Sequence, residues 1–265
     1  MQYISHKKVY EDSVIKGIQM IAKMTEKVYG GEHILVYKNE SGKSVVAANY
    51  TDALKNGKYK ETSAEDVRCV LAEMNWPSDG NKTAILLAAA ILKNLQKSNC
   101  DEVGFLESIN EAITYTIKKI ECMACEEDGN LPGGGLWLVT LIRPLRHYAE
   151  EKRCIAAGII AEAMLAPLKA LSENSGKAFY EVFERIRSAS PNQFYSLHQI
   201  GLKNGHIPIH DDKMDVIQFG LEKTSGEIRN LMKMGITEDE ETAKKIMEQT
   251  KKIIISLGKI RSVWI

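Results

Sequence analysis

The chain has 265 residues, 35 acidic and 35 basic side chains, and 44% hydrophobic residues. A pI near 7.0 without a charged tail excludes the basic footprint of a nucleic-acid binder. The apolar fraction supports a buried core, and the length allows one or two domains. Met1-Gln-Tyr-Ile-Ser-His-Lys-Lys8 has no apolar signal region, and no stretch reads as a bilayer span of about 20 residues. The expectation is a cytoplasmic chain with neither membrane nor nucleic acid as partner. Five cysteines, at 69, 100, 122, 125 and 154, are an odd number without framework spacing, which fits a reducing compartment.

In chain order, residues 9–28 put Val14, Ile18, Ile21 and Val28 on one stripe, flanked by Ile15 and Met24, and predict an amphipathic helix ended by Gly30-Gly31. His33–Tyr37 and Ser44–Ala48 alternate around the turn Asn39-Glu-Ser-Gly42 and predict a small β-hairpin. Residues 49–62 read as polar connection. Ser63-x-x-Asp66 opens a helix carrying Val67, Val70, Leu71 and Met74, which stops before Trp76-Pro77.

Asn75-Trp-Pro-Ser-Asp-Gly-Asn-Lys-Thr83 then leads into a helix over 81–97. Residues 84–92 contain no polar side chain, so this helix is expected to be buried on every side. At such a helix start, free N–H groups and the dipole can hold phosphate oxygens, and the adjacent Asp79 can hold magnesium. The plainer alternative is that Ser78 or Asp79 simply caps the helix.

Ile109, Ile113, Ile117, Ile120 and Ala124 recur at helical spacing and predict a helix over 103–125. Cys122-x-x-Cys125 lies inside it and reads as two small buried residues one turn apart, in preference to a zinc or redox pair. The break at Glu126-Glu-Asp-Gly-Asn-Leu-Pro-Gly133-Gly-Gly135 ends in three glycines. Either a ligand or a neighbouring helix approaching the backbone would explain them. Helices are expected over 136–149 and 152–174, the second with Ile155, Ile159, Ala163 and Met164 inward and a break at Pro167. Phe179, Val182, Phe183 and Ile186 continue helically.

Residues 188–212 read as a long loop with a short strand at 206–209. His206 and His210 there could ligate metal, although Pro208 prevents helical presentation. Gly226–Gly235 reads as a short amphipathic segment. Thr237 is expected to cap a last helix to Leu257, and Ile260–Ile265 reads as a terminal strand. The fold class is mainly α.

The order of these pieces resembles the chaperonin superfamily. Asp79-Gly-Asn-Lys-Thr83 before an alanine-rich helix is similar to the family's Asp-Gly-Thr-Thr-Thr signature, and Leu131-Pro-Gly-Gly-Gly135 to its second glycine signature. Ala161-Glu-Ala-Met-Leu-Ala-Pro-Leu-Lys169 with Glu173-Asn-Ser-Gly176 resembles the following helix. Thr224-Ser-Gly-Glu227 and Met234-Gly-Ile-Thr-Glu238 resemble the family's C-terminal segment. In chaperonins a long intermediate and apical insertion precedes the glycine triplet. Here it is absent near 121–128, so residues 1–265 resemble a single equatorial domain: a helical bundle with a small β-hairpin and a C-terminal strand.

The resemblance implies binding of ATP or ADP with magnesium. Asp79 would hold the metal, Gly80, Asn81, Lys82, Thr83, Gly133, Gly134 and Gly135 would cradle phosphates, and Glu238 (or Asp239) would contact ribose. It also marks departures. The first phosphate loop is reduced to Tyr29-Gly-Gly-Glu32, and Asn81 and Lys82 replace two threonines. Tyr115, Thr116 and Ile117 stand where the family places the aspartate that orients the attacking water, so no catalytic residue is assigned. Loss of such a group costs about 10²–10⁴ in rate.

The implied protein is a chaperonin-like module with residual nucleotide binding. It would act through protein contacts, with itself as a homo-oligomer through β edges or with another protein, and would not encapsulate clients. One alternative is an active Mg-ATPase whose carboxylate comes from Glu126, Glu127 or Asp128. The other is a structural helical protein that binds no nucleotide.

Overall fold

The computed structural model describes residues 10–31, 35–39, 41–77, 79–98, 100–126, 128–190 and 216–260. The first expected helix forms as α1 (Asp12–Lys27), burying Val14, Ile15, Ile18 and Ile21. Met24, expected beside the stripe, is 50% exposed. The hairpin forms as β1 (Val36–Lys38) against β2 (Ser44–Val46), antiparallel with Val36 opposite Val46.

The polar connection at 49–62 holds an unanticipated helix, α2 (Tyr50–Asn56). Its start is fixed by side chains. Asn49 accepts the Asp52 N–H at 2.9 Å, and Asp52 accepts the Ala48 N–H at 2.9 Å. Reciprocal caps of this kind make a short helix out of polar residues.

α3 (Thr62–Glu73) buries Ala64, Val67 and Leu71. α4 (Asn81–Ser98) has 18 residues, about 27 Å at 1.5 Å per residue. Its residues 84–89, 91 and 92 are all buried, as an unbroken apolar run requires. α1, α7 (Ile155–Ala163), α8 (Ala166–Asn174) and the last helix, α10 (Glu240–Leu257), pack around it, and α5 (Glu102–Glu126) packs against α7 and α10. One hydrophobic core runs through these elements and α6 (Leu136–Lys152), with Trp137 and Phe105 among its largest members. Fully burying one such Leu or Ile contributes roughly 1.5–3 kcal/mol.

The helix expected over 152–174 is two helices. The chain breaks at Met164-Leu165, and Pro167 sits in the first turn of α8, where its missing N–H costs nothing. Ile155 is 38% exposed, not inward, because it occupies the first position of α7 at the surface. Ile155–Asn174 is one segment long and apolar enough to cross a membrane, with mean hydropathy 1.5, but 67% of it is buried in the protein. α9 (Phe179–Ala189) follows as expected.

Two readings near the C-terminus need correction. Within Gly226–Gly235 the chain forms a strand, β5 (Glu227–Asn230), paired with β4 (Phe219–Glu222) in a hairpin. Glu222 anchors its turn by accepting the N–H groups of Thr224 at 2.6 Å and Ser225 at 2.7 Å. Thr237 does not cap the last helix. Thr237–Asp239 is β6, antiparallel to β3 (Asn130–Pro132), and Asp239 is the cap, accepting the Thr242 N–H at 2.8 Å. Cys122 is half-buried and Cys125 exposed, so they are not a buried pair. Residues 191–212 of the expected loop, including 206–209, His206 and His210, and residues 261–265 of the strand expected over 260–265 lie outside the described residues.

Candidate functional site

α4 begins where the chain turns sharply. Gly80 has φ +80°, and a Cβ there would lie 2.4 Å from Ile246 Cγ1 on α10. Only glycine permits both the left-handed turn and this close seat. Asp79 is exposed and accepts the Gly80 N–H at 2.7 Å. Asn81 and Thr83 are each 9% exposed. The first turn of an α-helix leaves its N–H groups without intrahelical acceptors and carries the positive end of the dipole.

The second glycine bend is brought to this point by strand pairing. β3 and β6 place Leu131 opposite Glu238, and the Gly133 N–H donates to the Ile236 carbonyl at 3.0 Å. The three glycines have different reasons to be glycine. A Cβ on Gly133 would sit 2.8 Å from the Ile236 carbonyl oxygen, and one on Gly135 (φ +79°) would meet α8 at Leu168 N, 3.5 Å away. Gly133 is shaped by that close neighbour, whereas 3.5 Å is an ordinary contact and Gly135 is held to glycine by its left-handed φ. Gly134 (φ +62°) lines the cleft described next.

A cleft of about 660 Å³ lies at the head of α4. Asp79, Gly80, Asn81, Lys82, Thr83, Gly134 and Glu238 all line it. Its size is within the range of small-molecule sites, roughly 300–1,000 Å³. Of the expected residues, Gly133 and Gly135 do not line it. Asp239 is taken up as the α10 cap, and Glu238 is the acid on the cleft wall.

Further walls come from the end of α1, from α2, from the segments around the β1–β2 hairpin and before α4, and from Leu171 of α8. Lys82 Nζ donates to the Val28 carbonyl at 3.1 Å, and the Tyr29 and Thr83 hydroxyls are 3.1 Å apart. Asn174 of α8 holds the same corner by donating to the Tyr29 carbonyl at 2.8 Å. From α2, Tyr50, Thr51 and Lys55 face the cleft, and Thr51 Oγ1 accepts from Asn81 Nδ2 at 2.9 Å. Tyr29, Gly30 and Gly31, read from the sequence as a reduced first phosphate loop, also line the cleft, while the α2 wall was missed by sequence reasoning. The Asn49-x-x-Asp52 cap was the available signal for α2.

The site's electrostatics are mixed. Burial pushes the Glu238 carboxyl up to about 7, with the charges of Asp79 and Asp239 adding to the rise. Burial also pushes the Tyr29 phenol up to about 12; its bond to Thr83 opposes the rise, and Glu238 and Asp79 add to it. Burial lowers Lys82, Asp79 opposes that, and Lys223 adds to it. The arrangement therefore offers N–H donors and two ammonium groups, Lys82 and Lys55, for an anion, and two carboxylates suited to a cation or a hydroxyl donor.

The positions where the chaperonin resemblance would place a water-orienting acid are structural. Tyr115 stacks on Tyr148 with ring centroids 3.9 Å apart, and Thr116 is buried with its hydroxyl donating to Ala112 O. Asp128 does not line the cleft. Glu127 and the Glu126 side chain lie outside what is described. Among the described residues, no three or more His, Cys, Asp or Glu side chains cluster as a metal site. No known protein-family model matches the chain.

Proposed function

We propose that the cleft at the head of α4 binds a phosphate-bearing nucleotide, ATP or ADP with magnesium. On this reading the protein is a chaperonin-like equatorial module that works through binding and assembly. The observation that carries the reading is the meeting, in one cleft, of the α4 start, Gly134 and Glu238, from three distant parts of the sequence. Phosphate oxygens suit the open N–H groups of the first α4 turn, with Lys82 as a point charge once it leaves the Val28 carbonyl. Asp79 would hold the magnesium, whose role is to bridge and neutralise phosphate oxygens. Glu238 suits a ligand hydroxyl.

Hydrolysis is not part of the proposal. Asp79 and Glu238 are the only carboxylates lining the cleft among the described residues. With Asp79 on the metal, only Glu238 remains to orient water, and it titrates near 7. Partner binding through the β1–β2 hairpin belongs to the same proposal: Val36 and Val46 are 58% and 65% exposed.

Calorimetry with Mg–ADP and Mg–ATP tests the reading. Saturable binding is expected, weakened at least tenfold by Lys82→Ala, with phosphate release at background. A lost charge-assisted contact of about 1.5–3 kcal/mol corresponds to that factor. Absence of binding by the wild type overturns the proposal, and rapid Asp79-dependent phosphate release replaces it with an ATPase.

A further inference from the structure

Three buried side-chain polar atoms among the described residues lack a hydrogen-bond partner: Asn81 Oδ1, Ser190 Oγ and Gln249 Nε2. Of these residues, only Asn81 lines the cleft. Its other end is fixed, since Nδ2 donates to Thr51 Oγ1 at 2.9 Å. The carbonyl oxygen is thus left as a buried acceptor, on a residue 9% exposed, in the first turn of α4. A buried acceptor without a donor is unfavourable unless something supplies the missing partner. A bare phosphate cannot supply it, because its oxygens are acceptors too. A cation can.

Asp79 and Asn81 stand two residues apart across Gly80, whose positive φ reverses the chain between them. Asp-x-Asn is also the spacing at which calcium loops direct two side-chain oxygens to one ion. Asp79 contributes charge, and Asn81 contributes a neutral carbonyl oxygen of the kind hard divalent cations accept.

We infer that Asn81 Oδ1 is a direct ligand of the divalent cation, beside Asp79, and that Thr51 is the positioning residue that holds the carboxamide in the ligating orientation. This rests on the nucleotide reading of the cleft and adds to it a protein ligand for the metal and a link from the metal to α2. Partners that orient a metal ligand typically change affinity by roughly 10–100-fold when removed. The oxygens of the nucleotide and water complete the shell.

Manganese binding, followed by electron paramagnetic resonance with and without ADP, is the test. Asn81→Asp should tighten manganese alone by about tenfold or more, because a full charge joins Asp79. Asn81→Leu should weaken it about tenfold while thermal stability holds or rises, since the unpartnered buried oxygen is gone. Thr51→Val should weaken manganese binding, and Thr51→Ser, which keeps the hydroxyl that holds the carboxamide, should restore it.

Wild-type manganese affinity in Asn81→Leu overturns the inference, as does an Asn81→Asp protein that gains nothing. If ADP binds and manganese does not, the cation assignment fails and the nucleotide reading stands. If manganese binds in the Asn81-dependent way and no nucleotide does, the ligand assignment stands and the nucleotide reading fails.

Discussion

The body of α4 and its first turn are parts of one helix built on opposite rules. From Ala84 to Leu92 the side chains are apolar and almost all buried, and their position follows from excluding water. In the first turn, Asn81 and Thr83 are equally buried and polar. Asn81 keeps an oxygen without a partner, and Lys82 is tied to a carbonyl at the end of another helix. The body is where the fold gains stability, and the first turn is where some of it is given up. A protein that holds an unsatisfied acceptor and a half-buried carboxylate in the same cleft has local conflicts of the kind found at functional sites.

The contrast breaks most sharply in the body. Leu87 is fully buried at the centre of the helix, so Leu87→Ala should destabilise the protein by about 2–5 kcal/mol through lost transfer energy and the cavity left behind. Urea unfolding measures it. The midpoint should fall with an unchanged slope, and a loss below about 1 kcal/mol would mean that α4 is not the central rod.

The body was readable in the sequence and the first turn only partly. Nine apolar residues in a row, and recurring Ile at helical spacing in α5, state burial directly. Glycine, proline and cap residues state where helices stop. What could not be read was long-range pairing. Nothing in Thr237-Glu-Asp239 says that it pairs with Asn130-Leu-Pro132, and without that pairing the acidic sequence reads as the first turn of a helix. The same pairing makes Glu238 a cleft residue and Asp239 a cap. α2 was hidden because its stability comes from side-chain caps and not from an apolar stripe. Asp79–Thr83, Gly134 and Glu238, which the chaperonin resemblance groups together, line one cleft, whereas Gly133 and Gly135, grouped with them, do not. Gly133 answers to the Ile236 carbonyl and Gly135 to its own left-handed backbone, features visible only in three dimensions.

The first turn can be tested through its acid. Glu238 titrates near 7 in the folded protein against an ordinary value of 4.5, so between those limits the folded state holds a proton that the unfolded state has released. The stability associated with that proton is fully present below about 4.5 and is lost as pH rises through 7. Glu238 is only half-buried, so the loss is discounted to about 1–2 kcal/mol. Glu238→Gln stays uncharged at every pH. Its melting temperature should match the wild type near pH 4.5 and exceed it above pH 7, a difference that thermal unfolding at several pH values detects. Parallel curves for the two proteins would place Glu238 in solvent.

The smallest effect on stability is expected far from both parts of α4, at the hairpin. Val36 and Val46 are cross-strand neighbours, and each is more than half exposed. A two-stranded ribbon leaves backbone donors and acceptors open along its outer edges, which is a template for adding a strand from another chain. Replacing an exposed Val on such an edge removes little buried area, so Val46→Lys should change folding stability by less than about 0.5 kcal/mol. Its charge would oppose edge pairing between copies. Sedimentation over a wide concentration range should therefore show self-association of the wild type and its loss in Val46→Lys, with Mg–ADP affinity unaltered because the cleft is untouched. A wild-type chain that stays monomeric at the highest concentration would remove the hairpin as an assembly surface and leave the cleft as the protein's functional feature.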